Sequence, residues 1–138
     1  GGKAYFAANP TAGTLRTMLD DALPVADVAF EHAPEASSGG GMLSYLHKVK
    51  DGAHLYYFAN SSDDPVDIWV RLRGRHALEL WDPHTGAMTP TECSHARLQG
   101  QDITRVRLTL EPVKSVFLVG PPVTADDPPK VTKERTRK

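Results

Sequence analysis

The chain has 138 residues, 40% hydrophobic and 24% charged, with a formal net charge of −1; that balance suits one globular domain with flanks and excludes wholesale disorder. The charge is uneven: five basic residues against Glu134 give residues 130–138 a charge of +4 and leave −5 on the remainder. An acidic body makes nucleic acid an unexpected partner, and no apolar run approaches the ~20 residues that span a bilayer, so no membrane partner is expected.

The chain opens Gly1-Gly2-Lys3 without an initiating Met or a signal pattern, and it reads as an excised piece or a processed product. Residues 3–8 (KAYFAA) are short, apolar and partly aromatic, which suits a buried strand. Asn9 then serves as a helix N-cap with Pro10 at the first helical position, where a missing N–H costs nothing. Leu15, Met18, Leu19, Ala22 and Leu23 recur at spacings of three and four, on one face of a helix of about three turns. Pro24 ends it. Asp20 and Asp21 oppose the helix dipole at that end. One strand and one helix cannot bury both their faces, so residues 1–36 read as a strand-helix unit, the remnant of a preceding α/β domain. Within it, residues 27–31 (DVAFE) suit a short strand.

Residues 34–41 hold the clearest linker, with its Gly-rich part at 37–41, since three successive glycines have no side chain to bury. From Met42 the period becomes two. Residues 43–49 and 54–60 flank Asp51-Gly52, the signal of a two-residue type I′ hairpin. Such a turn pairs Lys50 with Ala53, Val49 with His54, His47 with Tyr56 and Tyr45 with Phe58. Leu46, Leu55 and Tyr57 fall on the other face, so residues 55–60 should form a central, well-covered strand.

Residues 61–65 (SSDDP) are a turn cluster. Val66, Ile68, Val70 and Leu72 then alternate with Asp67, Trp69, Arg71 and Arg73, a half-buried strand ended by Gly74. A short strand at 77–81 leads into the turn Asp82-Pro83-His84-Thr85-Gly86. Val106, Leu108 and Leu110 alternate inward, and residues 115–119 close the set as a continuous apolar strand. About six or seven strands with short turns and almost no helical period beyond residue 25 indicate a mainly β fold. We assign an antiparallel β-sandwich, Ig-like or galactose-binding-like, to residues 42–120. Residues 121–138 form a flexible Pro-rich and basic tail, read as a solvated terminus.

Taken in order, His47-Lys48, then Tyr57-Phe58-Ala59-Asn60, Trp81-Asp82-Pro83 with Thr85-Gly86, and the closing strand 116–119 resemble the C-terminal β-sandwich region of bacterial glycoside hydrolases, most closely the alpha-L-rhamnosidase-like family 106 group. The strand and helix before it resemble the stretch that precedes this region, so the likeness covers residues 1–119. Lys48 stands where Arg is more usual, which weakens bidentate carboxylate pairing there. The resemblance implies a non-catalytic accessory domain that supports the preceding catalytic domain of the same parent chain. It brings no catalytic, cofactor-binding or metal residue and no cofactor, since the catalytic groups reside in the preceding barrel, and it implies a periplasmic or extracellular location.

Candidate chemistry is sparse. Hydrolysis of a glycosidic bond needs two carboxyl groups about 5–9.5 Å apart, whereas most acidic residues here sit in turns; Glu79 and Glu111, near strand ends, are the pair with a chance to meet. His47 and His54 are diagonal neighbours in the hairpin, without the further ligands a zinc site requires nearby, and the lone Cys93 allows no internal disulfide and no thiolate zinc site. Trp81, ahead of a Pro-containing turn, reads as core rather than a sugar platform. Trp69, sharing the outward face with Arg71 and Arg73, marks the candidate contact for a neighbouring domain first and for a carbohydrate ligand third, after a chance surface aromatic. Asn60-Ser61-Ser62 matches the glycosylation sequon, a frequent chance pattern. Gly39-Gly40-Gly41 lacks the Lys and helix start of a phosphate loop, and no Gly-x-Ser-x-Gly elbow occurs.

Overall fold

The computed structural model describes residues 2–32 and 42–121; the expected Gly-rich linker and basic tail lie outside them. One helix, α1 (Ala12–Ala22), precedes nine strands: β1 (Val28–Glu31), β2 (Leu43–Lys50), β3 (Ala53–Asn60), β4 (Val66–Arg73), β5 (Glu79–Trp81), β6 (Met88–Pro90), β7 (Cys93–Leu98), β8 (Gln101–Leu110) and β9 (Ser115–Gly120). They form two sheets, β1-β4-β8-β7 and β2-β3-β9-β5-β6, with every neighbour antiparallel. The fold is thus a mainly β sandwich preceded by a short helix.

The inner faces follow the alternation in the sequence. Val66, Ile68, Val70 and Leu72 of β4 and Val106, Leu108 and Leu110 of β8 meet Tyr56 and Phe58 of β3 and Val116 and Leu118 of β9 in one buried cluster. Tyr56, Phe58, Leu72, Leu108 and Leu118 are almost fully shielded from water, and each such side chain contributes roughly 1.5–3 kcal/mol by burial. The β2–β3 hairpin has the expected register to the residue. Asp51 and Gly52 both take positive φ, 51° and 79°, as a type I′ turn requires.

Three local expectations give way. Residues 3–8 form no strand: among the described residues no strand pairs with the apolar run, and Phe6 is 89% exposed. A side-chain pin holds the segment instead, with Lys3 Nζ 2.9 Å from Asp21 Oδ2 and the Tyr5 hydroxyl on the same oxygen, which accounts for Asp21; Asp20 pairs with Arg16 one turn earlier. The helix cap is Thr11 rather than Asn9, because Thr11 Oγ1 accepts from Thr14 N at 3.1 Å, and so Pro10 lies outside the helix. Finally, β6 and β7 add to the anticipated strands, and β8 starts at Gln101 because Gln99 and Gly100 supply a positive-φ turn, at 48° and 79°, between β7 and β8.

Asn60 ties the turns at one end of the sandwich. Its Nδ2 donates to the carbonyls of Asp64 (2.8 Å) and Glu111 (3.2 Å), while Oδ1 accepts from Ser62 N (3.0 Å) and Ser62 Oγ (2.7 Å). With both amide hydrogens used and the side chain buried, the sequon is a structural knot. Asn60→Asp would set a carboxylate oxygen against two carbonyls; we expect a loss of about 2–3 kcal/mol in urea unfolding at pH 7, and an unchanged midpoint would contradict this role.

Candidate functional site

The three site residues expected from the sequence lie on β4 and face away from the core, but they do not act together. Trp69 is 38% exposed, and the Arg105 guanidinium from β8 lies 3.9 Å above its ring. Arg105 is held in turn by Glu31, with Nε 3.1 Å from both carboxylate oxygens and Nη2 2.8 Å from Oε2. Arg71 Nε approaches the same carboxylate at 3.5 Å. Arg73 turns to the sandwich edge, where it meets Asp27 Oδ1 at 3.4 Å and the Val25 carbonyl at 3.4 Å. Arg107 forks onto Asp67 at 2.7 and 2.5 Å. The outer face of the four-stranded sheet is therefore an ion-pair lattice, in which one face of the Trp69 ring already carries a planar cation.

The five-stranded sheet has a different outer face. Leu46 pairs with Tyr57, Tyr57 with Phe117, Phe117 with Trp81 and Trp81 with Met88. One in-register row of large apolar side chains thus crosses all five strands, spanning roughly 19 Å at the usual strand separation. Tyr57 and Phe117 touch, with ring centroids 4.9 Å apart. Trp81 is 37% exposed and Met88 more so, which overturns the expected core position of Trp81. Its indole N–H donates to Glu79 Oε2 at 3.1 Å, fixing the ring on the surface. Beside it Trp81, Pro83, Met88 and Phe117 line an open, mostly apolar hollow of about 220 Å³. The adjoining turn is built as expected: Asp82 accepts from His84 N (2.8 Å) and Thr85 Oγ1 (2.9 Å), and Gly86 has φ 75°. Those bonds, the His84 N–H first, hold the Asp82 carboxyl below the usual carboxylate range. β3 lies inside the sheet as expected, but its outer face is only half-buried, by its own row.

A third surface is α1. It buries no residue, and Leu15, Leu19 and Leu23 are exposed along the face its periodicity defines. Glu79, in contrast, gains no carboxylate partner in Glu111: Glu79 sits opposite Val119, while Glu111 lies beyond Ser115 at the other end of β9. Among the described residues no group of three or more His, Cys, Asp or Glu is placed to hold a metal ion. The row across the five-stranded sheet was missed in the sequence because Met88 lacked a strand and the register of β9 against β5 is not local; the outward positions of Leu46 and Tyr57 were its visible signal.

No protein-family model matches the sequence, and no curated protein matches it. Among solved structures, a rhamnosidase from Novosphingobium sp. PP1Y superimposes with a TM-score of 0.63 at 24% identity, over 91% of this chain and 11% of that one. The chain has the fold of a segment of that rhamnosidase. It spans about a tenth of the rhamnosidase's length.

Glu31 gives the lattice a measurable signature. The Arg105 hydrogen bonds, ahead of the plain attraction of Arg105 and Arg71, hold its carboxyl below the usual range. A depressed folded value adds stability that is present above the unfolded pKa and lost as pH falls through the folded one. Glu31→Gln should lower stability by roughly 1 kcal/mol at pH 7, solvent screening allowed for, and the gap from wild type should narrow steadily as pH falls below the unfolded carboxylate pKa of about 4.3. A gap independent of pH would assign the effect to packing.

Proposed function

We propose that this chain is a non-catalytic C-terminal accessory domain of a glycoside hydrolase, most like the alpha-L-rhamnosidase-like family 106 group, and that it supports the preceding catalytic domain of the same parent chain. The observation that carries this reading is the fold shared by nearly all of this chain with a tenth of a rhamnosidase. The surfaces support it. α1 is amphipathic and buries none of its residues, so its apolar face suits a neighbouring domain, and residues 2–27, ahead of the sandwich strand β1, are the stretch that would join the two. The carboxylate pair available for hydrolysis is split along the length of β9.

Carbohydrate binding is a second reading, favoured by the row on the five-stranded sheet rather than by Trp69. The exposed Trp81 ring, in line with the half-buried rings of Phe117 and Tyr57 and with Glu79 and Asp82 beside it, suits stacking against a sugar face. Trp69, Arg71 and Arg73 are better suited to a polar contact with a neighbouring domain, since Arg105 occupies the Trp69 ring.

Two measurements separate the readings. Leu15→Ser with Leu19→Ser should change the stability of the isolated chain by less than about 0.5 kcal/mol, as exposed sites do, yet lower the melting temperature of the parent enzyme; equal, small effects in both would remove the support role. Tryptophan fluorescence titrated with L-rhamnose and rhamnosyl oligosaccharides should show no saturable change. Saturation that survives Trp69→Ala and vanishes in Trp81→Ala would put the carbohydrate reading first.

A further inference from the structure

Three of the six histidines, His47, His54 and His76, gather near the edge of the sandwich where β1 of one sheet faces β2 of the other, and a fourth, His95, reaches them from β7. Asp27, just ahead of β1, places Oδ2 2.8 Å from His47 Nδ1 on β2. His47 Nε2 lies 3.0 Å from His54 Nδ1 on β3, and the two rings stack on each other and on Tyr56, with His47 and Tyr56 centroids 4.1 Å apart. The His54 ring leans on His76 at 4.4 Å. His76 is 1% exposed; its Nε2 is 2.9 Å from the Arg73 carbonyl and 3.2 Å from the Tyr56 hydroxyl, while its Nδ1 is buried with no partner. His95 Nε2 reaches the His76 carbonyl at 2.7 Å.

The partners settle where the protons sit. A carbonyl only accepts, so His76 carries hydrogen on Nε2 and leaves Nδ1 bare. A carboxylate likewise only accepts, so His47 donates from Nδ1 to Asp27, and its Nε2 accepts from His54 Nδ1. The chain His54 to His47 to Asp27 runs in one direction. It accepts one further proton without losing a bond: His54 shifts its hydrogen to Nε2, and His47 then donates from both nitrogens. A second proton sets two N–H groups against each other across 3.0 Å, and a proton on His76 Nδ1 meets no acceptor.

We propose that the Asp27–His47–His54–His76 stack is a proton-operated latch between the two sheets, closed while the imidazole pair carries at most one added proton and released when it takes a second. The link it controls is specific. Asp27 joins His47 of the five-stranded sheet to Arg73 of the four-stranded one, and beyond it the rings of Phe30, Tyr45 and Phe58, at 6.0–6.3 Å, bridge the same edge. Among the described residues, the groups facing the imidazoles are Asp27, Arg73, Tyr56, and His95 with Cys93, the last two bonded to the His76 carbonyl. Burial keeps the Tyr56 phenol raised and neutral, so among the described residues Asp27 is the carboxylate bonded to the cluster. Burial first, and the neighbouring imidazoles after it, hold both His54 and His76 below the ordinary imidazole value, against the pull of Asp27 on the one and the Arg73 carbonyl on the other.

The sign follows. Below the unfolded histidine pKa of about 6.5, the unfolded chain binds protons that the folded cluster refuses, so stability is full above that pH and falls as pH drops toward the lowered folded values. Each refused proton raises the unfolding constant by up to about tenfold per pH unit. The test measures urea unfolding of the 138-residue chain at pH 7, 6 and 5, histidine ring NMR titration, and amide exchange protection strand by strand. The expected result is a steep rise in the unfolding constant from pH 6 to 5, late titration of His54 and His76, and protection lost in β1 and β2 before β4 and β8. His54→Asn with His76→Gln keeps the two donors without the titration and should flatten the pH dependence. Free-imidazole titration of both rings, or protection falling evenly through all strands, overturns the latch, and the wild-type chain alone decides this if the variant fails to fold.

Discussion

The constraint on which the rest depends is the interlock of two inner faces. Tyr56, Phe58, Val116 and Leu118 of one sheet fill against Val70, Leu72, Val106 and Leu108 of the other, and because side chains alternate along a strand, each inward residue forces its neighbour outward. Trp69 stands in the lattice because Ile68 and Val70 are in the core. Leu46, Tyr57, Phe117, Trp81 and Met88 form a row because antiparallel register aligns the outward positions between core ones. The core cluster thus forms without α1, none of whose residues is buried among the described ones.

The two outer faces divide the remaining chemistry. On the four-stranded sheet, charges are spent on each other: Arg105 on Glu31 and Trp69, Arg107 on Asp67. Such exposed pairs add little stability individually, but they orient a surface. On the five-stranded sheet the row stays apolar, and the Trp81 indole is fixed by Glu79. At the β1/β2 edge the polar cluster around Asp27 joins the two sheets beside the ring contacts of Phe30, Tyr45 and Phe58.

Legibility followed the range of the interaction. Asp51-Gly52 specifies both the turn and the register of the hairpin, so eight cross-strand pairs were readable from two residues; the alternation of residues 66–73 was equally plain. The diagonal meeting of His47 and His54 was readable for the same reason. His76 was not, because it reaches the cluster from the connection between β4 and β5, where no period guides it. The apolar run 3–8 misled because strand-like composition has no effect without a neighbouring edge. Thr11 outcompeted Asn9 through one hydrogen bond. Gly120 is a further case: a Cβ there would lie 2.0 Å from the Ala77 carbonyl oxygen, a close approach between distant segments. The outward position of Trp69 was legible; the Arg105 cap over it, which depends on β8 lying beside β4, was not.

The central proposal is that the sandwich core forms without α1, which buries none of its residues among those described, and that the apolar face of this helix docks on a neighbouring domain. Hydrogen exchange measured on the isolated chain and on the parent enzyme tests it most directly. The account predicts strong protection of β3, β4, β8 and β9 in both, with α1 exchanging rapidly in the isolated chain and slowly in the parent. Equal exchange of α1 in the two proteins would contradict it.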